Sequence, residues 1–364
     1  MGRLERPVLI RTDHAGVIMR APGRLRALGI VAVLLAAGAP LTRANGTFTS
    51  AAGPAILVPD SELYLDVLAL SELLTLPWTR LGYPMMIAIG AIRSEAELVA
   101  VTINALALLS GGYVLFRVTE ARAGLPAAVI AATVLVTNPM TAQWLRIVTT
   151  EAVFFGTVAV IAGLSVRILD GSARWPDRSV LPLSALLLPA AYTATGPPAE
   201  GSIAQQLYTG VIVQGAEHVR TTVTMPLPAD PEDPTFEAAA RYALSHPIAT
   251  AKLALARLAV ETVQVRRHYP TVVNAAFAIA MLVLAGAVAA GWNDPRARRS
   301  RTVFLVIGVP LMLLTMATFA VPEGRYGWAY LLPLAPIAGI GADRVIVRLR
   351  TIRPLDAQVP SEEP

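Results

Sequence analysis

Apolar residues in this chain gather into long uncharged runs separated by short polar stretches, and the runs are the size a bilayer demands. A spanning helix needs roughly 20 apolar residues at about 1.5 Å each. Eight runs lack Asp, Glu, Lys and Arg: 27–42, 98–116, 123–145, 152–166, 179–199, 271–291, 302–320 and 326–342. The first and fourth are short, but Arg26, Arg43 and Arg167 flank them and can snorkel to the headgroups. The fifth contains Pro182, Pro189 and Tyr192 and is the most irregular. Residues 83–92 are apolar yet too short to span, which fits an interfacial or re-entrant piece.

The pattern predicts an all-α polytopic membrane protein of about eight transmembrane helices with two larger extracytoplasmic loops. A leader at 1–26 precedes helices one to five (27–199), whose first outer loop is 43–97. A second outer loop, 200–270, precedes helices six to eight (271–345), and 346–364 is a tail. Within the second loop, 235–244 and 247–267 read as helices. The latter has Pro247 in its first turn and apolar Ile248, Ala251, Leu255 and Leu258, with Thr262, at helical spacing. Such a helix suits a membrane surface or a connector packed on protein. An uncleaved first span is expected, because no small-x-small site ends it as a cleaved signal peptide would require.

Composition supports the bilayer: 55% of residues are hydrophobic and only 15% charged, and a mean hydropathy of +0.57 is more than a soluble core could hide. The net charge of +5 and pI near 9.8 would fit a nucleic-acid binder only if the cations shared a face. They do not. With eight spans, the N-terminal side holds 19 of the 30 Lys and Arg residues, at 117–122, 167–178, 292–301 and 343–353 as well as the leader. Positive-inside bias therefore puts both termini in the cytoplasm of a multi-pass cell-membrane protein. Arginine outnumbers lysine so far that Lys252 stands alone, a bias typical of GC-rich bacterial genomes.

No cysteine is present, so disulfides, thiolate metal sites and Cys nucleophiles are excluded, and the four His show no metal-ligand spacing. Uncharged spans also disfavour ion-coupled transport, which places ionisable groups at mid-membrane. The acids gather instead on the expected outer side: Asp60, Glu62 and Asp66, then Glu151, then Glu323.

Pro59-Asp60-Ser61-Glu62-Leu63-Tyr64, followed by Gly82-Tyr83-Pro84 and preceded by span one, resembles the first outside loop of the type C glycosyltransferase superfamily. The similarity is to its protein O-mannosyltransferase and lipid A aminoarabinose transferase branch. Thr150-Glu151 and Glu323-Gly324-Arg325-Tyr326 are similar to later landmarks of the branch in the same order, as is Ala240-Arg241-Tyr242 with His246-Pro247. The resemblance implies a lipid-linked sugar donor, a polyprenyl phosphate, and a base at Asp60. Glu151 would orient the acceptor or, with Asp60, hold a divalent cation through oxygen ligands. Arg325 would grip the lipid phosphate, with Arg80 or Arg146 as substitutes, and Glu62, Tyr64 and Tyr326 would line the substrate site.

Each position has a plainer explanation. Asp60 also suits a helix N-cap, and Glu151 suits a helix N-terminus by dipole alone. Glu323 and Arg325 fit a solvated turn, Tyr64, Tyr83, Tyr326 and Trp328 fit interfacial anchoring, and Glu62 with Asp66 fits a solvated helix face. Two other functions stay open: a lipid or lipid-linked sugar transporter, drawing on uncharged polar residues such as Asn104 and Asn274, and a catalytically inactive subunit, favoured by the short middle at 171–201.

Overall fold

The computed structural model describes residues 20–38, 96–136, 151–172, 203–213, 221–233, 235–263, 271–318 and 327–352. The described residues are mostly helical, and four of their helices are long and apolar enough to cross a membrane. Helix α1 is Arg20–Gly38, α2 is Ala96–Val136 and α3 is Glu151–Leu169. The fifth expected span, 179–199, lies outside the described residues.

Several boundaries differ from those expected. Helix α1 begins inside the anticipated leader. No loop separates the second and third runs: the helix continues through Arg117 and Arg122, and the break falls at Gly124, whose φ of 82° and ψ of −176° are open to glycine. Unbroken, 41 residues would measure about 60 Å, twice the apolar thickness of a bilayer, so one kink divides α2 into two arms. Pro126 lies just beyond it, in the first turn of the second arm, where a missing N–H costs nothing.

The first arm of α2 runs parallel to α3, in close small-residue contact. Gly156 faces Ala107 and, seven residues on in both helices, Gly163 faces Val114. A Cβ on Gly111 would crowd Ala159 and the Gly156 carbonyl at 2.9 Å, so glycine here sets the interhelical distance. This is the relative direction expected of spans two and four.

Helices α4 (Ile203–Tyr208), α5 (Phe236–Ser245) and α6 (Pro247–Val263) form a separate small layer with strands β1 (Val211–Val213) and β2 (Thr221–Thr222). The strands pair antiparallel, so the all-α expectation is modified by one short hairpin. Local capping defines the start of α5. Asp233 Oδ1 accepts from the Thr235 amide at 2.9 Å, and Thr235 Oγ1 accepts from the Ala238 amide at 3.2 Å. Leu207, Ile212, Ala239, Tyr242 and Leu253 form the layer's own apolar core.

Helix α7 (Thr271–Trp292) occupies the sixth run. The seventh is segmented into α8 (Arg298–Val303), a π-helical turn at Phe304–Gly308 and α9 (Val309–Thr318). Pro310 accounts for the π turn: it lacks an N–H and its ring crowds the carbonyl four residues back, so the ladder widens and the Val309 amide bonds Phe304 O. The last run contains α10 (Gly327–Leu331), a tight turn at Leu332–Leu334 around Pro333, and α11 (Ala335–Ile352). Helix α11 continues seven residues into the segment expected to be a tail. It crosses α7 where Gly291 meets Gly341, close enough that a Cβ on either would strike the other helix's backbone. One apolar cluster, from Ala27 and Val31 through Phe155 and Met281 to Ile340, joins α1, α2, α3, α7, α10 and α11.

Candidate functional site

The arginine-bearing segments meet at one end of the bundle. Arg122 on α2 pairs with Asp170 just after α3 and donates to Val166 O at 3.5 Å. Arg299 Nε lies 3.7 Å from the other Asp170 oxygen. Arg296 grips Asp294 through Nε at 3.1 Å and a terminal nitrogen at 3.0 Å, then reaches Asp343 at 3.2 Å. Arg344 donates to Ala290 O at 3.3 Å, and Gly23 of α1 lies beside Arg117. The five segments expected to share a side therefore share an end. Hydrogen bonding from Arg296 holds the Asp294 carboxyl below the usual carboxylate range, outweighing the opposing effect of burial.

Glu151 is the first residue of α3, at the opposite end, and its backbone position is all the structure describes of it. Asp60, Glu62, Tyr64, Arg80, Arg146, Arg325 and Tyr326 lie outside the described residues. Two landmarks nevertheless lead into helices that meet. Ala152 and Phe155, following Glu151, share a buried cluster with Ala329 and Tyr330, three and four residues after Tyr326. Tyr330 is itself fixed by a 2.9 Å hydrogen bond between its hydroxyl and that of Thr262 on α6.

The polar centre that can be described in full at this end is Arg257 on α6. Only 2% of it is exposed, and it donates to three backbone carbonyls: Val211 at 3.0 Å, Gln206 at 3.2 Å and Met316 at 3.4 Å. Among the described residues no carboxylate pairs with it. Gln206 and Met316 lie near the C-terminal ends of α4 and α9, where helix dipoles present partial negative charge. Burial lowers the guanidinium pKa to about 10, so it remains charged at neutral pH. With each of its three nitrogens donating to a backbone oxygen, Arg257 clamps the small layer to α9.

Next to this clamp, the Tyr242 ring stacks edge-on between Tyr208, at 5.0 Å, and His246, at 4.8 Å. The Tyr242 hydroxyl donates to Pro226 O at 2.6 Å. Burial pushes both phenols up, so both remain donors.

No family model, curated protein or solved structure matches the chain. Among the described residues no three His, Asp or Glu side chains converge as a metal site, and the Asp60–Glu151 pairing lies outside them. The burial of Arg257 was the feature that sequence reading missed. Its signal was present: Leu253, Arg257 and Val260 follow helical spacing, which put the arginine on a face with two aliphatic residues.

Proposed function

We propose that this protein transfers a sugar from a polyprenyl-phosphate donor to an acceptor hydroxyl at the outer face of a bacterial cytoplasmic membrane. The observation that carries the reading is the meeting of the helices that follow Glu151 and Tyr326. Helices that follow landmarks about 175 residues apart in sequence thereby share one buried cluster, through Ala152 and Phe155 on one side and Ala329 and Tyr330 on the other. The gathering of the arginine segments at the other end supports the topology this function needs.

Asp60 is the base. It takes the proton of the acceptor hydroxyl as that oxygen attacks the anomeric carbon from the face opposite the phosphate, so configuration inverts. The carbon–oxygen bond to phosphate breaks, and the departing lipid phosphate carries the electron pair into the field of Arg325, with Arg80 or Arg146 as substitutes. Glu151 orients the acceptor or completes a divalent-cation site with Asp60, while Glu62, Tyr64 and Tyr326 contact substrate.

Asp60→Asn preserves size and capping ability while removing the base. In membranes given a labelled lipid donor, transfer by the folded variant is expected to fall about 100-fold or more. Unimpaired transfer overturns the assignment of Asp60, and failure of the unaltered protein with every prenyl-linked sugar supplied overturns the proposed activity.

A further inference from the structure

The exposed positions of α5 and α6 change character in chain order. The first are Glu237 and Arg241, a solvated pair 3.6 Å apart. Leu244 and Ile248 follow, each 82% exposed, then Leu255 at 61% with exposed Ala251, Lys252 and Ala259 around it, and Val263. Eight residues beyond Val263 begins α7, whose Val272 is 80% exposed and whose outward face continues through Ile279, Leu282 and Val283. The opposite side of α6 is occupied: Leu253 enters the small layer's core, Arg257 makes the clamp and Leu258 packs on the membrane-spanning cluster.

A solvated connector has no use for Leu244 held outward just before Ile248 and Leu255, which share one face of α6 two turns apart. The exposed series starts wet and charged, ends next to a spanning helix whose exposed face is equally aliphatic, and is interrupted by the chain's one lysine. A lysine can lay its methylenes along an apolar boundary while its ammonium reaches the headgroups. This is the charge pattern of an interfacial helix, continuous with the lipid-facing surface of α7.

We infer that α6 lies in the headgroup–acyl boundary of the leaflet at the end opposite the arginines, with Leu244, Ile248 and Leu255 in contact with lipid and Glu237 in water. The same helix then holds Arg257 and Thr262 at the bilayer surface. The inference rests on the membrane reading alone and is independent of sugar transfer.

The chain contains no cysteine, so single-cysteine labelling needs no altered background. Ile248→Cys, Leu255→Cys and Glu237→Cys, each labelled with an environment-sensitive fluorophore, are reconstituted as full chains in phosphatidylcholine vesicles. A nitroxide-bearing phosphatidylcholine is expected to quench labels at 248 and 255 several-fold more strongly than at 237, and aqueous iodide the reverse. Equal iodide quenching at all three sites overturns the inference, because the stripe is then in water. Protection of 248 and 255 from both quenchers also overturns it, because a protein surface or a second copy then covers them. Two independent stripe positions keep the test valid if one variant fails to fold.

Discussion

Replacing Arg257 probes how the layer containing α4 to α6 is held to the spanning helices. Arg257→Met keeps most of the side chain's volume but leaves the Val211, Gln206 and Met316 carbonyls without their donor. Loss of the donor costs about 1–3 kcal/mol at the buried Val211 carbonyl and less at the part-buried Gln206 and Met316 carbonyls. Relief of guanidinium burial opposes this in part, since burial is what lowers the Arg257 pKa. The net expectation is a loss of about 2 kcal/mol for Arg257→Met. Arg257→Ala adds a cavity and loses about 2 kcal/mol more. Arg257→Lys is expected to cost more than Arg257→Met, because an ammonium keeps the burial penalty of the charge but cannot span carbonyls on three separate elements. Because the clamp joins a layer to the bundle, the damage is local. Limited proteolysis in detergent should cleave within 203–263 at an increased rate in all three variants, least in Arg257→Met, before the spanning helices lose their circular dichroism. If Arg257→Ala leaves both cleavage and melting as in the parent protein, the three carbonyl bonds contribute nothing and the clamp is refuted.

Raising pH should also have a defined sign. The lowered Arg257 pKa means the folded guanidinium releases its proton before the unfolded one does, so this residue's contribution is flat up to about pH 9 and becomes more favourable above about 10, as alkaline denaturation of wild type against Arg257→Met would reveal. Asp294 has the same sign in a different range: its lowered pKa contributes stability to the arginine end above about pH 4, lost as acid titrates it in the folded state. Asp294→Asn, which retains the cap on the Arg296 amide, should therefore lose less thermal stability than Asp294→Ala, whose cost is about 1–2 kcal/mol. Gly341→Leu should disrupt the α7–α11 crossing and lower the melting temperature by several degrees, whereas the same change at Gly286, which has open space around it, should not. Cysteines placed at Ser61 and Gly324 should both react with a membrane-impermeant reagent added outside intact cells; reaction on opposite sides would separate the proposed catalytic landmarks.

The membrane class and several spans were legible because they rest on run length and charge, which the bilayer reads directly. Helix α7 occupies the sixth run almost residue for residue, and Pro247 opens α6 as its fixed φ requires. The break in α2 was misplaced because polar Arg117 and Arg122 looked like a loop. They instead lie on the helix, reaching back and across to Val118 O, Glu120 and Asp170, so helix geometry persists until Gly124. Ile248, Ala251 and Leu255 were legible as a stripe, but which way it faced depends on what packs behind α6. The proposed catalytic set is built from separate segments, and of its eight residues only Glu151 has a described backbone position. Residue spacing reads one helix well and says nothing of how such segments meet.

The ion pairs from Arg122 and Arg299 to Asp170, and from Arg296 to Asp343, tie α2, α3, α8 and α11 together at a single rim. Away from that rim the same bundle is held by packing, α2 on α3 through small residues and α3 on α10 through Ala152, Phe155, Ala329 and Tyr330. Breaking the rim's ion pairs should therefore leave the apolar contact where α3 and α10 begin intact.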